Sequence, residues 1–103
     1  MSDTTKYLSD KAQRILKTVD ILFGHEIDGL TPGQISQAVG CSPANTTSDI
    51  ANLIEAGFVE RIEAQKTYRI AARLASRCLA SLNTIDQAQR EVADLRQRFT
   101  AKP

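Results

Sequence analysis

The sequence predicts a mainly α-helical α+β fold: one small domain with a single β-hairpin and a long C-terminal helix. Three observations predict it. Apolar residues recur at three- and four-residue steps along most of the 103-residue chain. The period changes to two only between Phe58 and Ile70. Two helix starts of the cap-plus-proline kind stand at Thr31-Pro32 and Ser42-Pro43.

Residues 1–7 are polar and read as a flexible arm. Leu8, Ala12, Ile15, Leu16, Val19, Leu22 and Phe23 form one apolar stripe of a first helix. Ser9 or an earlier residue is its candidate cap and Gly24 its stop. His25 to Leu30 is a connection, with His25 beside Glu26 on its surface. Thr31, Pro32 and Gln34 then supply the cap, first residue and capping box of a short second helix, which ends at Gly40. After Gly40-Cys41, Ser42-Pro43 repeats that start for a third helix over about 43–56. It carries Thr46, Ile50, Leu53 and Ile54 inward. At about 100° per residue, Ala44, Ser48, Ala51, Asn52 and Glu55 point away, with Asn45 beside them. Gly57 is expected in a left-handed conformation that turns the Phe58 ring into the core.

Residues 58–62 and 67–70 read as strands, rich in β-branched and aromatic side chains. They form a hairpin whose tip lacks the usual glycine or asparagine. From Ala71 to Phe99 the helical spacing returns as a heptad seam. Cys78, Ile85, Val92 and Phe99 hold one position, and Leu74, Ser81, Ala88 and Leu95 the other. Asn83-Thr84 leaves two alternatives, one bent helix or two nearly collinear ones. The division is therefore an arm over 1–7, a domain over 8–75, and a helix with tail over 76–103.

Composition excludes several classes. With 13 Lys+Arg against 12 Asp+Glu the net charge is +1, so total charge alone indicates neither nucleic acid nor membrane as a partner. One histidine and two cysteines cannot furnish a zinc site of paired ligands, and no metal is expected. Cys41 and Cys78 read as reduced, partly buried thiols of a cytoplasmic protein. No apolar run is long enough for a membrane span, and the N-terminus lacks the apolar core of a signal peptide. There is no phosphate loop and no Cys-His pair near an acid. Ser9-Asp10 and Ser48-Asp49 have no histidine partner. No catalytic residue and no cofactor are expected.

The order helix, helix, tight turn, helix, hairpin, helix is that of a winged helix-turn-helix. Such a unit suits double-stranded DNA: the third helix fits a major groove and the hairpin, or wing, reaches the backbone. The sequence also resembles the DNA-binding domain of the IclR-type bacterial regulators over roughly residues 12–75. Arg14-Ile15-Leu16 through Val19-Asp20-Ile21-Leu22 and Gly29-Leu30-Thr31-Pro32 carry the resemblance. So do Ile35-Ser36-Gln37-Ala38-Val39-Gly40, the run Leu53 to Glu60, and Thr67-Tyr68-Arg69-Ile70. The resemblance implies a dimeric transcription regulator whose third helix reads operator DNA. Two departures stand out. Ser48 occupies a position where that family commonly has a basic residue, and the family's larger effector domain has no room here.

The expected DNA-contacting residues are Thr31, Ser42, Ala44, Asn45, Thr47, Ser48 and Asn52, with Arg61, Lys66 and Arg69 in the wing at about 59–70. Asparagine suits adenine edges, Ser and Thr contact bases or phosphate, and the cations contact phosphate. Lys6, Lys11, Arg14, Lys17, Arg73 and Arg77 complete the cationic set, while Asp49 is placed off the outward face. Ile85, Val92, Leu95 and Phe99 are expected to pair two copies into a homodimer, the alternative being a helix folded back on its own domain. A small bacterial or phage regulator fits these features, cytoplasmic and nucleoid-associated if bacterial. The competing reading is a winged-helix module that recruits a protein through the same weakly basic face. Cys41 reads as a small packed side chain, with a redox switch as its alternative.

Overall fold

Three side-chain oxygens start the three short helices. Ser9 Oγ accepts from the Ala12 amide, Thr31 Oγ1 from the Gln34 amide and Ser42 Oγ from the Asn45 amide. Gln34 Oε1 accepts from the Thr31 amide in return, closing the expected capping box. The computed structural model describes residues 4–101. It contains α1 (Asp10–Leu22), α2 (Pro32–Val39), α3 (Pro43–Glu55), β1 (Val59–Ile62), β2 (Thr67–Ile70) and α4 (Ala72–Thr100). This is a winged helix-turn-helix. The expected arm is in part a 3-10 turn over Thr4–Tyr7, and its residues 1–3 lie outside the described residues.

The buried core draws one or two side chains from each of α1, α2, α3, β1 and β2. Leu22, Ile35, Val39, Ile50, Leu53, Val59 and Ile70 are buried, and Ile15, Val19, Ile21, Leu30, Cys41, Tyr68 and Leu74 pack around them. Each fully buried aliphatic side chain contributes about 1.5–3 kcal/mol. The buried face of α1 is rotated from the expected stripe. Thr18 and Ile21 turn inward, while Leu8, Leu16 and Phe23 are exposed. Ile54, expected inside, is exposed because the core behind α3 is already filled by Ile50 and Leu53.

The end of α3 has a closed geometry. The Gly57 amide donates to Ile54 O and the Phe58 amide to Leu53 O, and Gly57 sits at φ +78°. This is the paired bonding that satisfies the last helical carbonyls. It does not send Phe58 into the core as expected. The ring lies at the surface, its centroid 6.0 Å from the Arg73 guanidinium carbon.

The two strands pair antiparallel, from Val59 opposite Ile70 to Ile62 opposite Thr67. Lys66 takes the left-handed position at the tip, φ +54°. Leu30 adds a bridge to Tyr68, each amide donating to the other's carbonyl at 2.8–2.9 Å. The backbone approach is close enough to need glycine beside it: a Cβ on Gly29 would meet Tyr68 O at 2.5 Å.

The last helix is continuous through Asn83-Thr84. Thr84 Oγ1 donates to Ala80 O within the helix instead of capping a new one. Every described residue from Ala75 onward is exposed, including Cys78, which was expected partly buried. The radius of gyration is 20.0 Å. A compact chain of this length has about 13 Å.

Candidate nucleic-acid interface

The turn between α2 and α3 is pinned from within. Ser36 Oγ and Thr46 Oγ1 lie 2.6 Å apart in the core, and Cys41 Sγ lies 3.2 Å from the same Thr46 oxygen. Ile50, Leu53 and Thr46 hold the inner face of α3. Ala44, Asn45, Thr47, Ala51, Asn52 and Glu55 form its exposed face, and Ser48 is half-buried among them.

Toward its N-terminus that face carries neutral polar groups, several of them committed, between Ala44 and Ala51, and the acidic Glu55 closes its far end. Thr47 Oγ1 donates to Pro43 O and Asn52 Nδ2 to Ser48 O. The Ser42 and Thr31 hydroxyls accept from their own helices as caps. The Asn45 side-chain amide has no intramolecular partner among the described residues, so both its donor and its acceptor are available to a base edge.

Sequence reasoning missed what lies behind the face. Asp49 is fully buried on the inner side of α3. Arg14 of α1 grips it with two bonds, Nε to Oδ2 and Nη2 to Oδ1, the latter at 2.9 Å. This hydrogen bonding raises the Arg14 pKa above its ordinary range, against a smaller opposing effect of burial. Lys11 Nζ lies 3.6 Å from Asp49 Oδ1 and donates to Ser48 Oγ at 2.8 Å. One carboxylate therefore faces two cations. Arg14 neutralises it, and Lys11, with its side chain half-exposed, carries surplus positive charge to the middle of the α3 face. The sequence signalled only that Lys11 and Arg14, one helical turn apart, share a face of α1; their common partner lies 35 residues away.

The wing separates its expected cations. Arg69 donates through Nη2 to Glu60 Oε2 at 3.1 Å and reaches the loop carbonyls of Glu26 and Ile27 at 3.5 Å. Glu60 Oε1 accepts from the Ala72 amide at 3.0 Å, capping α4 where Ala71 has no side-chain oxygen to do so. That amide bond, followed by Arg69, holds the Glu60 pKa below its ordinary value. Arg61 pairs with Glu63 at 2.8 Å on the surface. Lys66 stands exposed at the tip with no partner among the described residues. His25 is exposed in its loop, and Glu26 accepts from the Gly24 amide, which lowers the Glu26 pKa.

No protein-family model matches the chain, and no curated protein matches it. Among solved structures, it is similar to a homodimeric winged helix-turn-helix DNA-binding domain from Mycobacterium bovis, described as a possible ArsR-family transcriptional regulator. The identity is 24%, over 88% of this chain and 92% of that one, with a TM-score of 0.48.

Among the described residues, no group of three or more His, Cys, Asp or Glu is placed to hold a metal ion. No helix there is long and apolar enough to cross a membrane. On α4, Ile85, Val92, Leu95 and Phe99 all lie exposed, together with Leu79 and Leu82.

Proposed function

We propose that the chain is a homodimeric, sequence-specific DNA-binding transcription regulator. In this reading α3 enters the major groove, Asn45 and Ser48 read base edges, and the wing rests on the backbone. The carrying observation is the open face of α3, polar and uncharged from Ala44 to Asn52 with Lys11 at its middle and acidic only at Glu55, beside a wing ending in Lys66. Lys66 adds support. A side chain at φ +54° costs about 1 kcal/mol, which glycine would relieve. A cation stands where stability alone favours glycine, as expected of a phosphate contact. The IclR-type resemblance of residues 12–75 points the same way.

The dimer reading rests on area. The chain exposes 7814 Å². A compact monomer of this mass exposes about 5,700 Å². The excess per copy is larger than one partner's share of a standard protein interface, about 800 Å². A dimer also supplies two reading helices for a two-fold site.

The test begins with selection of bound DNA from a random pool. Asn45→Ala is expected to lower affinity for the selected site by about 1–3 kcal/mol and to relax its sequence preference. Ser48→Ala acts in the same direction. Lys66→Gly is expected to raise the melting temperature while weakening all sequences alike and flattening the salt dependence. Unchanged binding in both Asn45→Ala and Ser48→Ala removes α3 from the groove. Failure to select any sequence favours the protein-recruiting module instead.

A further inference from the structure

The exposed seam of α4 has an uneven size pattern. One heptad position holds Cys78, Ile85, Val92 and Phe99; the other holds Leu74, Ser81, Ala88 and Leu95. At the middle of the helix the large side chains therefore fall on one position and the small ones on the other. The surface shows the result. A shallow, open hollow lies over Ala88, bounded by Ile85, Gln89, Val92, Ala93 and Arg96. Ile85, Ala88, Gln89 and Val92 are spaced i, i+3, i+4 and i+7, the four corners of a hole that takes one side chain from a facing helix.

We propose that two copies pair their α4 helices antiparallel, with Ile85 opposite the partner's Ala88 and Val92 opposite the partner's Ser81. The proposal rests on the dimer reading above and adds direction and register to it. In a parallel pair, like positions meet across the seam. Ala88 would face the partner's Ala88 and Ser81 the partner's Ser81, leaving two layers underfilled and the hollow open. Underfilled layers destabilise. In the antiparallel register each hollow receives the partner's Ile85. Cys78 then meets the partner's Leu95, and Phe99 comes beside the start of the partner's helix, where Leu74 stays packed against its own core. This register also overlaps the helices along almost their whole length, Ala72 to Thr100. Parallel pairing would offer one compensation, Glu91 beside the partner's Arg96. A solvent-exposed ion pair of that kind contributes little next to two mispacked layers.

Exposed Cys78 serves as a built-in probe. A parallel in-register pair sets the two Cys78 residues side by side, within disulfide reach. The antiparallel register separates them by about 17 residues of helix, roughly 25 Å. The experiment combines sedimentation equilibrium with mild oxidation and non-reducing electrophoresis of the full chain. The parent is expected to be dimeric at tens of micromolar and to form almost no Cys78 cross-link. In a Cys78→Ala background, Ser81→Cys and Val92→Cys are each expected to stay uncross-linked alone. Mixed together, they are expected to cross-link at least tenfold more than either one. A dimer that cross-links through Cys78, or one in which the mixture fails to cross-link, overturns the antiparallel register and leaves the dimer standing. A parent that sediments as a monomer overturns the dimer reading itself.

Discussion

The helices between Asp10 and Glu55 and the stretch of α4 from Ala75 to Thr100 carry the same three-and-four spacing of apolar side chains, yet they end in opposite environments. In the first region Leu22, Ile35, Ile50 and Leu53 are buried. In the second, Leu79, Leu82, Ile85, Val92, Leu95 and Phe99 all face water. Connection accounts for the difference. Gly40-Cys41 and the wing tip turn the chain back on itself within a few residues. The 29 residues of α4 contain neither glycine nor proline, and nothing bends the helix onto its own domain. Amphipathic spacing specifies that a face will be covered. Whether the same chain covers it depends on the turns.

The comparison breaks most visibly at α4. Val92→Asp combined with Leu95→Asp places four carboxylates on the paired seam of a dimer. It is expected to leave monomers at tens of micromolar while the urea unfolding of the winged core stays within about 0.5 kcal/mol of the parent. Sedimentation and denaturation together check this. Loss of the core would show that the two regions are not independent. Next comes a change inside the packed region. Asp49→Ala leaves the Arg14 guanidinium partly buried without its partner and is expected to cost about 3 kcal/mol in chemical denaturation. A near-neutral result would mean that apolar packing alone holds α3.

Gly57→Val is expected to cost more than about 1 kcal/mol, because a β-branched residue resists the left-handed backbone. The Arg73 side chain 3.2 Å from the new Cβ is flexible and can yield, so the penalty arises from φ. The smallest effect is a pH dependence at the junction of the two regions. Glu60 is held below its ordinary value of 4.5. Its stabilising contribution is therefore present above that value and lost as pH falls through the lowered pKa. Melting temperatures between pH 6 and pH 3 are expected to fall less steeply in Glu60→Gln than in the parent.

What the sequence revealed was local. Thr31 with Gln34, and Ser42 with Pro43, announce helix starts because each acts within four residues of itself. The outward face of α3 followed from the same periodicity, since a helix with three apolar anchors leaves its other side to solvent. The misreadings concern contacts made across the fold. Arg14 and Asp49 are 35 residues apart, and an aspartate inside a helix reads as surface until its partner is known. The exposure of Leu16 and Phe23 depends on where α2 crosses α1, which no local pattern encodes. The pairing of Arg69 with Glu60 across the hairpin was not read from the sequence either. The Leu30–Tyr68 bridge was invisible because a single bridging residue has no period.

Glu60 has a mechanical consequence. One of its oxygens grips the wing through Arg69 and the other grips the first turn of α4 through the Ala72 amide. The hairpin and the long helix are thereby joined at an elbow, with the helix as a lever about 43 Å long. A tilt of about 5° at the elbow moves the far end of that lever by about 4 Å, close to the width of a side chain. The wing and the seam are thus geared together, and a small change in how the hairpin sits becomes a large change in where Phe99 points.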